Sequence, residues 1–300
     1  MKLIKISIIV ILYTMTEKLY ACDACGCSIH NSEIGLITDF KKNYFKMSFS
    51  RFGFYSFSET GKGSTDFFNK GNLSFRFGLG KMKKVHLVMQ VPYLLNSRKG
   101  QEGYQSVKGI SDVNVSLYYE LIPNKCLGSA VSLYFEVGAG TSAPTGYYNA
   151  HIHNDNLPEN FNIGKGTFYF NTQTNLVFRW KQSGFVWSNY FQWLPKSKDD
   201  YQFGNSLSTQ LIVFHEFGLN KVKFIPSTGV YMESVAKDVF PSGLSVVESG
   251  GRSIFCGFGT NIKFSKWIAG FILSKPLVNS YANESVQAKL RWTSQLSFNF

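Results

Sequence analysis

The sequence predicts an all-β chain: a transmembrane, antiparallel, up-and-down β-barrel of about twelve strands over residues 44–300. Three observations predict it. In the closing stretch, 286–300, Val286, Ala288, Leu290, Trp292, Leu296, Phe298 and Phe300 share one alternating face, with the small Ser294 among them. Gln287, Lys289, Arg291, Thr293, Gln295, Ser297 and Asn299 share the other. A period of two is the signature of a β-strand, and an apolar face backed by a polar one fits lipid outside and a wet lumen inside. Second, short turns and long loops alternate along the chain, as they do between the periplasmic and external ends of outer-membrane barrels. Third, no internal run approaches the ~18–20 apolar residues of a membrane helix. Any crossing must therefore be made by a closed sheet, which leaves no unpaired edge in lipid.

Composition agrees. The chain has 28 Phe, 16 Tyr and 27 Gly but only 8 Pro, and aromatic residues favour strands. Mean hydropathy is −0.08, as alternation requires. The formal charge of +12 is scattered over turns and loops, with its densest cluster, Lys81, Lys83 and Lys84, in one turn. This pattern argues against nucleic acid and for the anionic head groups of outer-membrane lipid and lipopolysaccharide as partners.

Residues 1–21 read as a signal peptide: Lys2 and Lys5 precede a short apolar stretch, 6–13, and Ala21 precedes the cut. Leu19 and Ala21 before Cys22 also fit a lipobox; plain cleavage is the reading adopted. Residues 22–43 form a periplasmic, cysteine-rich segment. Its Cys22, Cys25, Cys27 and His30 have the donor chemistry for one soft ion, Cu(I) or Zn(II). Disulfide formation in an oxidising compartment, with Cys126 as a further partner, and lipidation of Cys22 stand beside that reading.

The first strand is predicted over 44–58, with a bulge or close contact at Gly53, and a loop follows over 59–66. In the second, 72–80, Leu73, Phe75, Phe77 and Leu79 point outward and Ser74, Arg76 and Gly78 inward. In the third, 85–94, His86 and Gln90 point inward. Residues 96–109 read as a long loop. Strand four, 113–121, sets Asn114, Ser116, Tyr118 and Glu120 on its polar face, and strand five, 131–139, sets Ser132, Tyr134, Glu136 and Gly138. A long loop covers 144–165. Strand six, 167–180, carries Asn171, Gln173, Asn175 and Arg179 inward, and strand seven spans 185–194. Strand eight lies within 201–219, where alternation weakens around 212–217. Strands nine to twelve are 222–233, 252–264, 267–275 and 286–300, with loops at 234–250 and 278–285. Short turns at 81–84, 123–129, 181–183, 220–221 and 265–266 share one end, and the long loops share the other. An even strand count puts both termini in the periplasm. Phe300 on the lipid face fits the terminal signal read by the barrel-assembly machinery.

The start Ala21-Cys22-x-x-Cys25-Gly26-Cys27-Ser28 resembles a group of Bacteroidetes-type outer-membrane barrels, similar to the transporter family named after a phenol-degradation pathway. Further matching pieces are Gly109-Ile110-Ser111-Asp112, Ala143-Pro144-Thr145-Gly146 and the stretch 157–167. Ser111 stands where that family often carries Gly, and Lys165 departs from its usual small residue. The resemblance implies an outer-membrane location more than a substrate.

Lumen-facing ionisable candidates are Arg76, His86, Glu120, Glu136, Arg179, Lys263, Lys289 and Arg291, as paired wall-holders or as selectivity elements. His151, His153 and Asp155 in the third external loop are a solvated segment that could share an ion. Cys256 on the lipid face reads as a small hydrophobe. No Ser-His-Asp order, phosphate loop or H-E-x-x-H pattern appears, so the chain is not read as an enzyme. The function expected is porin-like, passive transport of a small solute. The alternative is a plugged structural or metal-handling outer-membrane protein working through its cysteines.

Overall fold

The computed structural model describes residues 42–57, 63–80, 84–101, 103–127 and 130–300. Among these residues the chain forms β1 Tyr44–Ser56, β2 Ser64–Leu79, β3 Val85–Gly100, β4 Gly103–Ile110 continued by Val113–Leu127, β5 Val131–Ala143 and β6 Tyr169–Trp180. It continues with β7 Ser183–Trp193, β8 Ser206–His215 continued by Phe217–Leu219, β9 Val222–Val235, β10 Gly251–Phe264, β11 Trp267–Tyr281 and β12 Val286–Ala288 continued by Arg291–Asn299. Each strand pairs antiparallel with its chain neighbours, and β12 closes on β1, with Tyr44 opposite Asn299 and Arg51 opposite Trp292. The predicted twelve-stranded barrel is the observed one.

Its two faces invert the partition of a water-soluble protein. Phe258 (67 % exposed), Leu117 and Val213 lie outside, whereas Ser50, Ser74, Glu136 and Ser253 (each 0 %) lie inside. Burying polar side chains while exposing apolar ones is favourable only if the outer solvent is hydrocarbon. All five tryptophans, Trp180, Trp187, Trp193, Trp267 and Trp292, stand on the outer face. Trp180 and Trp267 sit beside the short turns, where amphipathic rings suit the lipid head-group boundary.

The structure corrects several expectations. Residues 96–109 are not a loop: β3 runs on to Gly100 and β4 returns from Gly103, pairing Asn96 with Val107 and Tyr93 with Ile110. This arm stands beyond the apolar band, so it has no lipid face to impose alternation on its sequence. Likewise β2 starts within the predicted 59–66 loop, and β11 runs on to Tyr281.

In β12 the single alternating face breaks. Phe54 pairs with Ala288 but Arg51 with Trp292, so β12 carries one extra residue between these pairs, a bulge opposite Gly53. A side chain at Gly53 would press on Phe67 and on the Cβ of Lys289. The bulge turns Val286 (0 % exposed) and Ala288 inward, against the prediction that they share the lipid face with Leu290 and Trp292. It also turns Lys289 out of the lumen. Its ammonium reaches the Thr65 hydroxyl at 3.3 Å and lies over the Tyr55 ring, both on the outer wall. Lys289→Leu is therefore expected to shift the stability of the folded barrel to urea by less than about 1 kcal/mol, measured in lipid vesicles; Arg291→Leu, which strands a buried carboxylate, should not share that indifference.

In β8, weak alternation has a physical cause. Ile212 and Phe214 point inward, where they pack with Val186 and Ile225 as an apolar patch on the lumen wall.

Candidate functional site

The loop between β5 and β6, residues 144–168, does not extend into solvent. It makes two short 3-10 turns, Ile152–Asp155 and Glu159–Phe161, and folds into the barrel mouth. Ile152, Leu157, Phe161 and Ile163 are buried there against Phe52, Phe54, Phe68 and Leu94 of β1–β3, and against Tyr231, Phe255, Tyr281 and Val286 of the opposite strands. The rings of Phe68 and Phe161 lie 5.0 Å apart. Burial of these side chains removes apolar surface that would otherwise face water at the mouth, which holds the loop in. The bulge in β12 serves the same cluster by delivering Val286 and Ala288 to it.

The base of this loop is tied at both ends by one residue. Asp112 accepts the backbone N–H of Gly146 at 2.9 Å and of Lys165 at 2.8 Å. Thr145 donates its hydroxyl to the Ser111 carbonyl at 3.0 Å, and Ser111 donates its own to the Ile163 carbonyl at 2.5 Å. Gly146 and Gly164 approach so closely that a Cβ on either would strike the other's backbone. The three sequence pieces singled out after the cysteines thus meet at one knot. Their shared purpose is to clamp the inward loop.

Below the loop, on the wall of β9–β12, Arg291 makes a two-pronged bond to Glu233 at 2.8 and 3.0 Å. Tyr231 donates to the same carboxylate at 3.0 Å, and the Arg291 guanidinium lies 3.8 Å from the centre of the Phe255 ring. Nearer the short turns, on the wall of β2–β6, Arg76 pairs with Glu136 at 2.5 Å. Tyr134 donates to Glu136 at 2.7 Å and Asn175 to its other oxygen at 2.8 Å. His86 meets Glu120 at 2.7 Å, and Gly138 leaves room for the Tyr118 ring. The sets share a motif: a tyrosine two residues before its glutamate on one strand, and an arginine reaching over intervening strands.

Of the predicted lumen residues, Arg76, His86, Glu120, Glu136 and Arg291 are thus inward and in buried pairs. Arg179 is inward at the short-turn mouth, bonded to Glu216 at 2.9 Å, which Lys223 also reaches. Lys263 is inward and only half-buried, and Lys289 is not in the lumen. Glu233, Tyr231 and Asp112 were missed. Strand nine was expected to end at Glu233, which disguised it as a loop carboxylate, although Tyr231-Met232-Glu233 repeats the spacing of Tyr134-Phe135-Glu136.

Cys22, Cys25, Cys27 and His30, with the signal segment, lie outside the described residues. Cys126 and Cys256 are free thiols. His153 sits in a 3-10 turn that His151 precedes, rather than in an extended strand, their rings 6.1 Å apart. Among the described residues no group of three or more metal-ligating side chains converges.

No protein-family model and no curated protein matches this sequence. Solved structures do. An outer-membrane channel from Pseudomonas putida F1 superposes with a TM-score of 0.64 at 11 % identity, covering 95 % of this chain and 100 % of that one. The fold is that of an outer-membrane β-barrel. The translocator domain of the autotransporter NalP from Neisseria meningitidis matches at a TM-score of 0.46 and 9 % identity, over 92 % of this chain and 94 % of that one.

The seated loop also carries a titratable group. Partial burial pushes the Glu159 carboxyl up to about 7, and the nearby Asp199 and Asp238 push the same way, while Lys165 and the Asn162 amide pull it back. A carboxyl whose pKa is raised in the folded state supports that state fully below its ordinary value, and this support is lost as pH rises through the folded value. Amide exchange across 149–163, corrected for intrinsic rates, is therefore expected to accelerate between pH 5.5 and 8.5. Glu159→Gln should flatten that dependence.

Proposed function

We propose that the chain is a passive channel of the outer membrane for small solutes, with its external mouth held shut by the 144–168 loop. The supporting observation is the mainly polar lining inside a closed apolar wall, broken by the Ile212 and Phe214 patch, with charges paired at two levels and an apolar cork above them. Such a wall offers a solute hydrogen-bonding partners over most of its depth, while the cork limits leakage when the loop is seated. On this reading both termini are periplasmic and lipopolysaccharide surrounds the external rim. Phe300, half-exposed beside Phe298 and Phe77 on the outer wall, is the residue offered to the assembly machinery.

Reconstitution of the refolded protein into planar bilayers tests this. The expected result is brief openings in the wild type and longer ones when the loop is unseated. Sustained silence from protein that migrates as a heat-modifiable barrel, with and without the loop seated, would contradict it.

A further inference from the structure

The outer wall carries positive charge toward its long-loop end. The neighbouring strands β11, β12 and β1 each set one cation outward there: Lys275, Lys289 and Arg51. Ser50 and Phe52, on either side of Arg51, are buried in the lumen, so Arg51 faces out. Lys275 is exposed, one residue beyond the pair of Ser274 with Arg291.

A cation on a lipid-facing wall is costly, most of all at the middle of the bilayer. Arg51 and Lys289 both lean away from it. The Arg51 guanidinium lies 4.1 Å from the centre of the Phe67 ring. Phe67 pairs with Gly53, two residues nearer the long-loop end than Arg51 itself. Lys289 donates its backbone N–H to the Gly53 carbonyl. Its ammonium, however, reaches Thr65, which pairs with Tyr55, again two residues nearer that end. Stems laid along apolar surface with their heads displaced toward water place these cations at a membrane boundary.

The same leaning gathers the charge. A Cβ at Gly53 would stand 3.2 Å from the Phe67 ring and 3.3 Å from the Lys289 Cβ. Both cations therefore border one bare stretch of β1 backbone. Nothing in the wall offsets them. Among the described residues, no outward side chain of β10, β11, β12, β1 or β2 is acidic. The acid of β2, Asp66, points inward to Arg98. Like charges held together without a carboxylate call for an anion from outside.

We infer that Arg51 and Lys289, with the Thr65 hydroxyl beside them, bind one phosphate of a phosphorylated glycolipid of the lipid A type. A guanidinium fork takes two phosphate oxygens and an ammonium a third. Toward the short-turn end from these cations, Met47, Phe49 and Leu290 are exposed on the same wall, as acyl chains require. A phosphate site directly over an apolar wall suits an amphiphile, not a free anion. Because Arg51 stands on β1 and Lys289 in β12, one phosphate spans the two strands at which the barrel closes. The inference takes from the proposed function only that the long loops are external, and needs no conductance.

The test titrates the refolded, detergent-solubilised protein with diphosphoryl lipid A and counts bound copies by native mass spectrometry. The wild type is expected to retain a first copy well ahead of any others. Arg51→Gln/Lys289→Gln should weaken that copy by about tenfold or more, as loss of two charge-assisted bonds implies. Lys99→Gln/Lys108→Gln removes two exposed cations from the arm of β3 and β4 and should weaken it by less than about twofold. Excess inorganic phosphate should leave it bound. A wild type that retains no lipid A would overturn the inference. So would equal weakening by the two double variants, which marks diffuse charge, or displacement by inorganic phosphate, which marks a free-anion site. The wild-type result needs no variant, so misfolding of a substituted protein cannot shelter the proposal, and these failures leave the channel reading standing. Orientation is read separately: an impermeant maleimide should label Lys198→Cys on intact cells. Labelling only after lysis would overturn the external placement and the glycolipid with it.

Discussion

Phe161→Ala is expected to open the barrel. Phe161 is fully buried (0 % exposed) at the centre of the mouth cluster, packed on Phe68 and under the Arg98 guanidinium. Truncating such a ring costs about 3–5 kcal/mol, charged here to the seat of one loop rather than to the whole sheet. Loop docking draws on the low end of a protein's local stabilities, so a penalty of this size reverses it. The knot at Asp112 still ties the loop base, so the loop swings out rather than unravelling. Single-channel recordings should show open time rising by more than about tenfold, the factor that 1.4 kcal/mol supplies. Heat-modifiable migration should persist, because no strand pairing depends on Phe161.

The second large effect belongs to the lower charge set. Arg76→Met leaves Glu136 buried without its guanidinium, although the Tyr134 and Asn175 bonds remain. Breaking a buried pair in this way costs about 3–5 kcal/mol, whereas replacing both members by apolar groups of similar size is often nearly neutral. Urea unfolding from lipid vesicles, followed by the emission of the outward tryptophans, should show Arg76→Met strongly destabilised and Arg76→Met/Glu136→Met substantially recovered. The exposed pair of Lys196 and Asp200, 3.9 Å apart, is the contrast. Removing it should shift stability by less than about 1 kcal/mol.

Strand number, strand direction and most facings are legible in the sequence because lipid on one side and water on the other impose a strict period of two. Arg76, His86, Glu120, Glu136 and Arg291 declare themselves inward by that rule alone. The rule fails wherever one of its two solvents is missing. The arm of β3 and β4 has no lipid on its outer face, and its inner face packs on the loop through Leu94, Asn96 and Val107, so it lacks a regular apolar face and read as loop. Ile212 and Phe214 face an apolar patch inside, and so β8 read as irregular. A single extra residue in β12 reverses Val286, Ala288 and Lys289; Gly53 marked the place on the facing strand, but nothing in the residues of β12 shows that the extra one lies there. The inward loop was least legible. Ile152, Leu157, Phe161 and Ile163 follow neither a helical nor a strand period, and their partners lie on strands at both ends of the chain. Its anchors were noticed only as short pieces of resemblance; their purpose became visible once Asp112, Gly146 and Lys165 met.

The central claim is that an inward loop closes a polar passage, and a reversible tether tests it most directly. Phe68→Cys and Phe161→Cys put two thiols on the wall of β2 and on the loop, at the roots of two rings whose centres lie 5.0 Å apart. A short bis-methanethiosulfonate linker, which bridges the space the rings leave, should lock the loop in and silence the channel in planar bilayers. Reductant, which cleaves that linker, should then restore openings in the same membrane, with each single-cysteine protein unaffected by the cycle, despite the free Cys126 and Cys256. Equal conductance in the linked and cleaved states, with the crosslink verified by mass spectrometry, would contradict the account.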